Sequence, residues 1–333
     1  MTPNTVNTDV LIIGAGPVGL YGTYYAGFRG MSVALMDSLP EVGGQLAALY
    51  PEKNIYDVAG FPSVRGQDLV DSLLEQAQQS KPTMLLEQRA TTIEVHDEGV
   101  TIGAVASTPG DPGVTVHAKA VLIAGGMGTF EPKELPAGGS YAGRGLRYFV
   151  PRLADLAGHD VLVVGGGDSA VDWALALEPL ANSVALVHRR DAFRAHEKSV
   201  TALQESSVEV VTPYEVVAIA GETAIETVTL EHVDSKETHE REVKTVVAAI
   251  GFLTDLGPMA DWGMDLKRRR ILVDRTQQTN LPRVFAAGDI AQYDGKVALI
   301  SVGFGEAATA INHIAPLVNA KWKTTPGHSS DAL

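Results

Sequence analysis

The sequence has no cysteine in 333 residues. That removes disulfides, thiolate zinc sites, cysteine-ligated iron–sulfur clusters and every cysteine nucleophile. It fits a reducing compartment, and a cytoplasmic protein is expected. Basic residues are scarce: 26 Lys plus Arg stand against 40 Asp plus Glu, a formal net charge of −14 at pH 7. So acidic a chain is a poor general ligand for nucleic acid or anionic membranes, and neither is expected as a partner. Long apolar runs are lacking too. The longest, residues 10–20, is broken by glycine and is about half of what a bilayer crossing needs. The opening is polar and the first basic residue is Arg29, so no secretory signal is expected. With 45% hydrophobic and 20% charged residues, the chain can still bury a sizeable core. Its length predicts roughly two domains.

What is present occurs twice. Residues 8–13 form a short β-branched run that enters Gly14-Ala15-Gly16-Pro17-Val18-Gly19. Residues 160–164 form another, entering Gly165-Gly166-Gly167-Asp168-Ser169-Ala170. Each predicts a buried parallel strand, a glycine turn and a helix, and each is followed by a second strand, at residues 32–36 and 183–187. That is a βαβ unit both times. Gly/Pro-rich residues 125–139 and the stretch 249–252 read as two crossings between domains. The fold class that follows is α/β: two Rossmann-like dinucleotide-binding domains of three-layer ββα type, one inserted in the other. Residues 1–125 and 252–333 would build the first, and residues 126–251 the second. A helix of small residues is expected over about residues 305–318, and residues 323–333 have the composition of a frayed tail.

In the first fingerprint Gly14 permits the tight turn, Gly16 lets a pyrophosphate approach and Gly19 allows close helix–strand packing. Pro17 suits the first helical position. The pyrophosphate would sit on the helix N-terminus. Asp37 closes the next strand, 23 residues after Gly14. A carboxylate there accepts from ribose hydroxyls and repels a 2′-phosphate, which favours FAD or NAD. The second fingerprint ends differently. His188-Arg189-Arg190 closes its strand, with Arg194 beyond. Guanidinium forks bind a phosphate dianion bidentately, so this site favours NADPH. Gly165, Gly167, Asp168, Ser169 and His188 complete the expected NADPH set. Two nucleotide sites in one chain imply hydride transfer between nicotinamide and flavin N5, which needs positioning and exclusion of water but no side-chain acid or base.

With these residues assembled, the whole chain resembles the thioredoxin-reductase-like flavoproteins. The resemblance is carried by the opening fingerprint, Gly43-Gly44-Gln45, residues 165–170, His188-Arg189-Arg190 and Ala287-Gly288-Asp289. Thioredoxin reductase needs a Cys-x-x-Cys before the second fingerprint, and none exists here. Within the group, the chain resembles the ferredoxin–NADP⁺ reductases through residues 50–62, 165–176 and 193–197 and the tail Gly327-His328-Ser329-Ser330. The resemblance implies that Tyr50 stacks on one flavin face and that His328 stacks on the other, across a homodimer. It implies FAD contacts by Asp37, Gln45, Ala90, Phe130, Gly288, Asp289 and Ser330, and a helix N-terminus aimed at the flavin.

The expected activity is therefore an FAD-dependent exchange of electrons between NADPH/NADP⁺ and ferredoxin or flavodoxin. Two alternatives stay open: an NADPH-dependent flavoprotein reductase of quinones or of an external disulfide carrier, and a redox-responsive FAD-binding module. The basic run Lys267-Arg268-Arg269-Arg270 is expected in a hairpin turn, either simply solvated or docking an acidic ferredoxin.

Overall fold

The structure, a computed structural model, describes residues 4–108 and 110–325. Contacts divide the chain into two units. The first holds residues 1–48, 54–129 and 254–333; the second holds residues 49–53 and 130–253.

In the first unit the opening strand, Asn4–Ile13, lies between two parallel neighbours, Val33–Met36 and Val114–Ile123. Its residues alternate between faces, as a strand must. Val10 and Ile12 pack under the helices Pro17–Phe28, Gly66–Gln78 and Ile300–Val318, together with Leu20, Leu73 and Ile311. Leu11 and Ile13 face the opposite side, with Ile102, Val116 and Trp262. The strand Val114–Ile123 serves two partners. Its first half pairs antiparallel with Gly99–Ala106, which continues to Gln88–His96. Its second half pairs parallel with Val284–Ala286.

The second unit repeats this plan. Five short parallel strands run in the order Leu146–Arg147, Thr245–Ala248, Asp160–Val164, Ser183–Val187, Glu209–Val211. The helices Asp168–Leu177 and Glu197–Glu205 cover one face. An antiparallel meander, Tyr214–Ala220, Thr227–His232 and Thr238–Glu242, lies on the other. Both units thus stack helices, parallel sheet and antiparallel strands in three layers. Where the chain passes between units, Thr129–Pro132 pairs with Phe252–Asp255, and the Lys133 N–H donates to the Gly251 carbonyl at 3.0 Å.

Two sequence expectations need correction. The opening strand begins at Asn4, not Thr8, because Asn4 to Thr8 extend the pairing with residues 114–118. The long helix begins at Ile300, about one and a half turns before the expected start. Gly303 serves packing rather than termination: a Cβ there would lie 2.5 Å from Val18 Cγ2. The basic run does form a hairpin, with Leu266–Lys267 antiparallel to Arg270–Leu272. Arg268 and Arg269 occupy its turn at φ +53 and +61. Among the described residues, no helix is long and apolar enough to cross a membrane.

Candidate functional site

The register of the first sheet assembles one site. Ile13 pairs with Met36 on one side and Ile123 on the other, and Ile123 pairs with Ala286. The turns that follow these strands therefore emerge side by side at the carboxyl edge of the sheet, where ligands bind in open α/β sheets. They carry Gly14, Asp37, the Gly125–Gly126 turn and Gly288–Asp289.

The first glycine turn is built as its sequence demands. Gly14 stands at φ +108, and a Cβ there would lie 2.4 Å from the Ala124 carbonyl oxygen. A Cβ on Gly19 would lie 1.8 Å from the Gly14 oxygen. Gly16 is different: a Cβ there meets nothing within 4 Å, so its open side faces space that a pyrophosphate can fill. Pro17 takes the first helical position. The Gly43 N–H donates to the Ala15 carbonyl at 2.8 Å, which brings the short helix Gly44–Leu49, with Gln45, against the fingerprint turn.

Asp37 has a structural task that its spacing did not reveal. Its carboxylate accepts the N–H of Ala15 at 2.6 Å and of Leu39 at 2.9 Å, tying the fingerprint turn to the end of the second strand. Burial pushes its carboxyl above the usual carboxylate range, against the pull of the N–H groups of Ala15, Leu39 and Ser38. The Gln88 N–H donates to the Asp37 carbonyl at 2.8 Å, and Ala90 lies two residues further along the strand Gln88–His96. Two polar groups here fit a bound nucleotide. Gln88 Oε1 is buried without a hydrogen bond, and no donor meets the half-buried Asp289 carboxylate among the described residues.

The second glycine turn repeats the design. A Cβ on Gly165 would lie 2.3 Å from the Ala249 carbonyl oxygen, whereas Gly167 opens onto space. The His188 ring lies over Gly166, 2.3 Å from where a Cβ would sit, and stacks on Phe193 with centroids 5.5 Å apart. Its Nε2 is buried without a partner among the described residues. Burial, then the charges of Arg189, Arg190 and Arg194, hold the imidazole below its ordinary pKa. Those three arginines are exposed around the end of the Ser183–Val187 strand. The Arg194 N–H donates to the Gly166 carbonyl at 2.7 Å. Arg189 has a weak local partner, Glu215 at 3.8 Å. Asp168 is engaged structurally: its carboxylate accepts the His196 N–H at 2.8 Å at the start of the next helix.

The structure places Tyr50 in the second unit. Its hydroxyl lies 2.8 Å from Ser169 Oγ, and its ring stacks on Trp173 at 5.9 Å. Lys53 pairs with Asp172 at 2.5 Å in the same segment. His328 and Ser330 lie outside the described residues, as does the side chain of Phe130.

Sequence reasoning missed one feature. Glu306 is the only carboxylate among the fully buried described residues. It accepts the Gly288 N–H at 2.7 Å and the Tyr293 hydroxyl at 2.6 Å, and pairs with a Lys296 side chain that is itself buried. A signal was available: Glu306 is the lone charged residue in the helix Ile300–Val318. An isolated acid in an apolar helix must find a cation or protonate.

The profile of the pyridine nucleotide-disulphide oxidoreductase family matches residues 8–313. A ferredoxin–NADP reductase of a Nocardioides species is 55% identical, with 99% of each chain covered. One from Frankia casuarinae is 56% identical, covering 97% of this chain and 98% of the relative. Among solved structures, thioredoxin reductase from T. acidophilum matches with TM-score 0.80 at 25% identity, covering 93% of this chain and 98% of its own. The Lactococcus lactis thioredoxin reductase gives 0.79 at 27% identity, covering 93% and 99%. The cofactors of this group are FAD and NADPH, and both open glycine turns fit them. The chain belongs to the pyridine nucleotide-disulphide oxidoreductase family and, within it, to the ferredoxin–NADP reductases.

Proposed function

We infer that this protein takes hydride from NADPH and passes electrons singly to ferredoxin or flavodoxin, or runs the reverse. The observation that carries this reading is the pair of open glycine cradles in a chain without a thiol. Electrons arriving from a nicotinamide must leave by some route other than a dithiol of this chain. FAD, when bound, supplies the conversion between two-electron and one-electron chemistry.

In this reading the domain of residues 1–125 and 252–333, which supplies nearly all of the first unit, holds FAD. Gly14, Gly16, Pro17 and Gly19 receive the pyrophosphate on free N–H groups and the helix dipole. Asp37 accepts from the adenosine ribose, and Ala90 borders the adenine. Gln45, Gly288 and Asp289 flank the remaining length. The intervening residues, 126–251, hold NADPH. Gly165, Gly167 and Ser169 take its pyrophosphate, with Asp168 and His188 beside them. Arg189, Arg190 and Arg194 take its 2′-phosphate. Tyr50, with Phe130 and the tail residues His328 and Ser330, completes the enclosure of the reacting ring. No side chain has to donate or accept a proton during hydride transfer; the residues position and exclude water.

A homodimer and a cytoplasmic location complete the proposal. The dimer is supported by an aromatic face on the fingerprint helix, where Tyr21, Tyr25 and Phe28 stack in series and Phe28 is 55% exposed. Tyr21 and Tyr25 are half-buried against the core, and Phe28 is the exposed end of this face. Sedimentation of the purified protein at twice 35.2 kDa is expected; a monomer would remove the dimer and the cross-subunit role of His328. Docking of ferredoxin is assigned to the basic hairpin, where Lys267 and Arg268 are exposed while Arg269 donates to the Thr254 carbonyl at 3.0 Å.

The test is NADPH-driven cytochrome c reduction with and without ferredoxin. A large ferredoxin-dependent gain is expected, and Lys267→Glu with Arg268→Glu should diminish it at low salt while leaving ferricyanide reduction unchanged. No gain, with dye reduction intact, would redirect the search to quinones or an external disulfide carrier. Bound flavin with negligible NADPH oxidation would indicate a redox-responsive binding module.

A further inference from the structure

The buried Glu306–Lys296 pair lies outside both glycine cradles. Such a pair is costly to desolvate, and apolar residues of similar volume often stabilise a fold equally well. Its geometry shows what else it does. Glu306 Oε2 accepts the Gly288 N–H at 2.7 Å, while Oε1 accepts from the Tyr293 hydroxyl and from Lys296 Nζ. Gly288 and Lys296 bracket one short segment, and one carboxylate clamps both of its ends. Asp289 lies inside that segment, half-buried, and no donor meets its carboxylate among the described residues. From the other side Val18, in the first turn of the fingerprint helix, fills the space around Gly288: a Cβ there would lie 3.2 Å from Val18 Cγ2 at a φ of +80. The turn is therefore fixed from two directions, while the Asp289 carboxylate is left unused among the described residues. Tyr293 reinforces the clamp, with its hydroxyl pushed up to about 12 by burial and by the hydrogen bond to Glu306, so it stays a donor.

We propose that Glu306, with Lys296 and Tyr293, is a positioning cluster for FAD: it holds the Gly288–Asp289 turn against the flavin end of the cofactor, and its charge balance is felt by the flavin. The proposal rests on the reading of Asp289 as an FAD contact. With the pair intact, the buried cation and carboxylate cancel. Glu306→Gln leaves the Lys296 charge uncompensated, and a buried positive charge favours the reduced flavin.

The test measures FAD dissociation from the purified chain and the midpoint potential of bound flavin. Glu306→Gln should weaken FAD by about tenfold, the loss of one charge-assisted hydrogen bond. It should also raise the midpoint potential. Lys296→Met combined with Glu306→Gln should weaken FAD but return the potential toward the wild-type value. A merely structural cluster would change FAD affinity and melting temperature and leave the potential alone in every variant; that result overturns the proposal. If Glu306→Gln does not fold, Tyr293→Phe and the double variant decide. Wild-type affinity and potential in both would overturn the proposal. Asp289→Ala separates the two readings. Unchanged FAD affinity in that variant sinks the site assignment itself, whereas weakened affinity there with an inert cluster sinks only this inference.

Discussion

Arg189 and Arg190 are the residues proposed to discriminate NADPH from NADH. Both are exposed at the end of a strand whose fingerprint turn opens at Gly167. The carboxylate paired with Arg189 among the described residues, Glu215, is 3.8 Å away and itself half-exposed, so a phosphate displaces little. Replacing both arginines by Ala should raise KM for NADPH by about tenfold or more and leave KM for NADH within about twofold. Steady-state kinetics with each nucleotide checks this, and equal effects on the two would remove the phosphate assignment. The place of the arginines at the strand end was legible because a motif fixes their register. His188 was legible only as a neighbour: the sequence gives no sign that its ring covers Gly166 or that its Nε2 lacks a partner. Asp37 was half legible. Its distance from Gly14 points to a ribose, but the bonds to Ala15 and Leu39 depend on how two turns fold together.

At the scale of elements, the helix Ile300–Val318 shows how small residues mislead. The small-residue pattern places its start near Gly305, whereas the helix begins at Ile300 and carries both Gly303 and Gly305 in its interior, where glycine weakens it. In the structure Gly303 is the contact point with Val18, and a Cβ would approach Gly288 Cα at 3.4 Å as well. Gly305, two residues on, is exposed, and nothing lies within 4 Å of a Cβ built on it. The two therefore predict opposite outcomes for one substitution. Gly303→Ala should destabilise by about 1–3 kcal/mol through overpacking. Gly305→Ala should stabilise by about 0.5–1 kcal/mol through helix propensity. Denaturant melts of the two variants check this, and destabilisation by both would show that the helix tolerates no added methyl. The strands following each glycine turn were the most legible elements, because buried parallel strands read as unbroken β-branched runs. The charged cluster at Glu306 was the least legible, since its partners lie 10 and 13 residues away in a loop of no fixed pattern.

At the scale of the molecule, the two units are expected to respond differently to acid. In the second unit three carboxyls lie below their ordinary range. Asp160 is held by the side chains of Ser183 and Asn182, Glu178 by the N–H and hydroxyl of Ser207, and Glu209 by the Arg241 guanidinium. In the first unit burial raises Asp37, while Asp274, despite burial, is held low by Thr276 and Gln278. A depressed carboxyl contributes stability that is present above the unfolded value of about 4 and is lost as pH falls through the folded value. A raised carboxyl works the other way, because the folded chain takes up that proton first. Acidification from neutral pH to about 3.5 should therefore loosen the second unit before the first. Limited proteolysis with an acid-active protease should cut first within residues 130–253, and simultaneous cutting in both units would refute this.

The pairing of Thr129–Pro132 with Phe252–Asp255 has a consequence for how such a chain can be assembled. The insert leaves and rejoins its host through two strands that lie side by side, joined by Lys133 to Gly251. Once folded, everything between them spans no more than a hairpin's width. Closing a loop costs free energy only as the logarithm of its length, and a folded insert shortens the effective loop to a few residues. The host can thus carry a whole second nucleotide unit for roughly the entropy of a turn. By the same reasoning, an insert with equally close ends could replace this one if residues 49–53, which belong to the second unit, are exchanged with it.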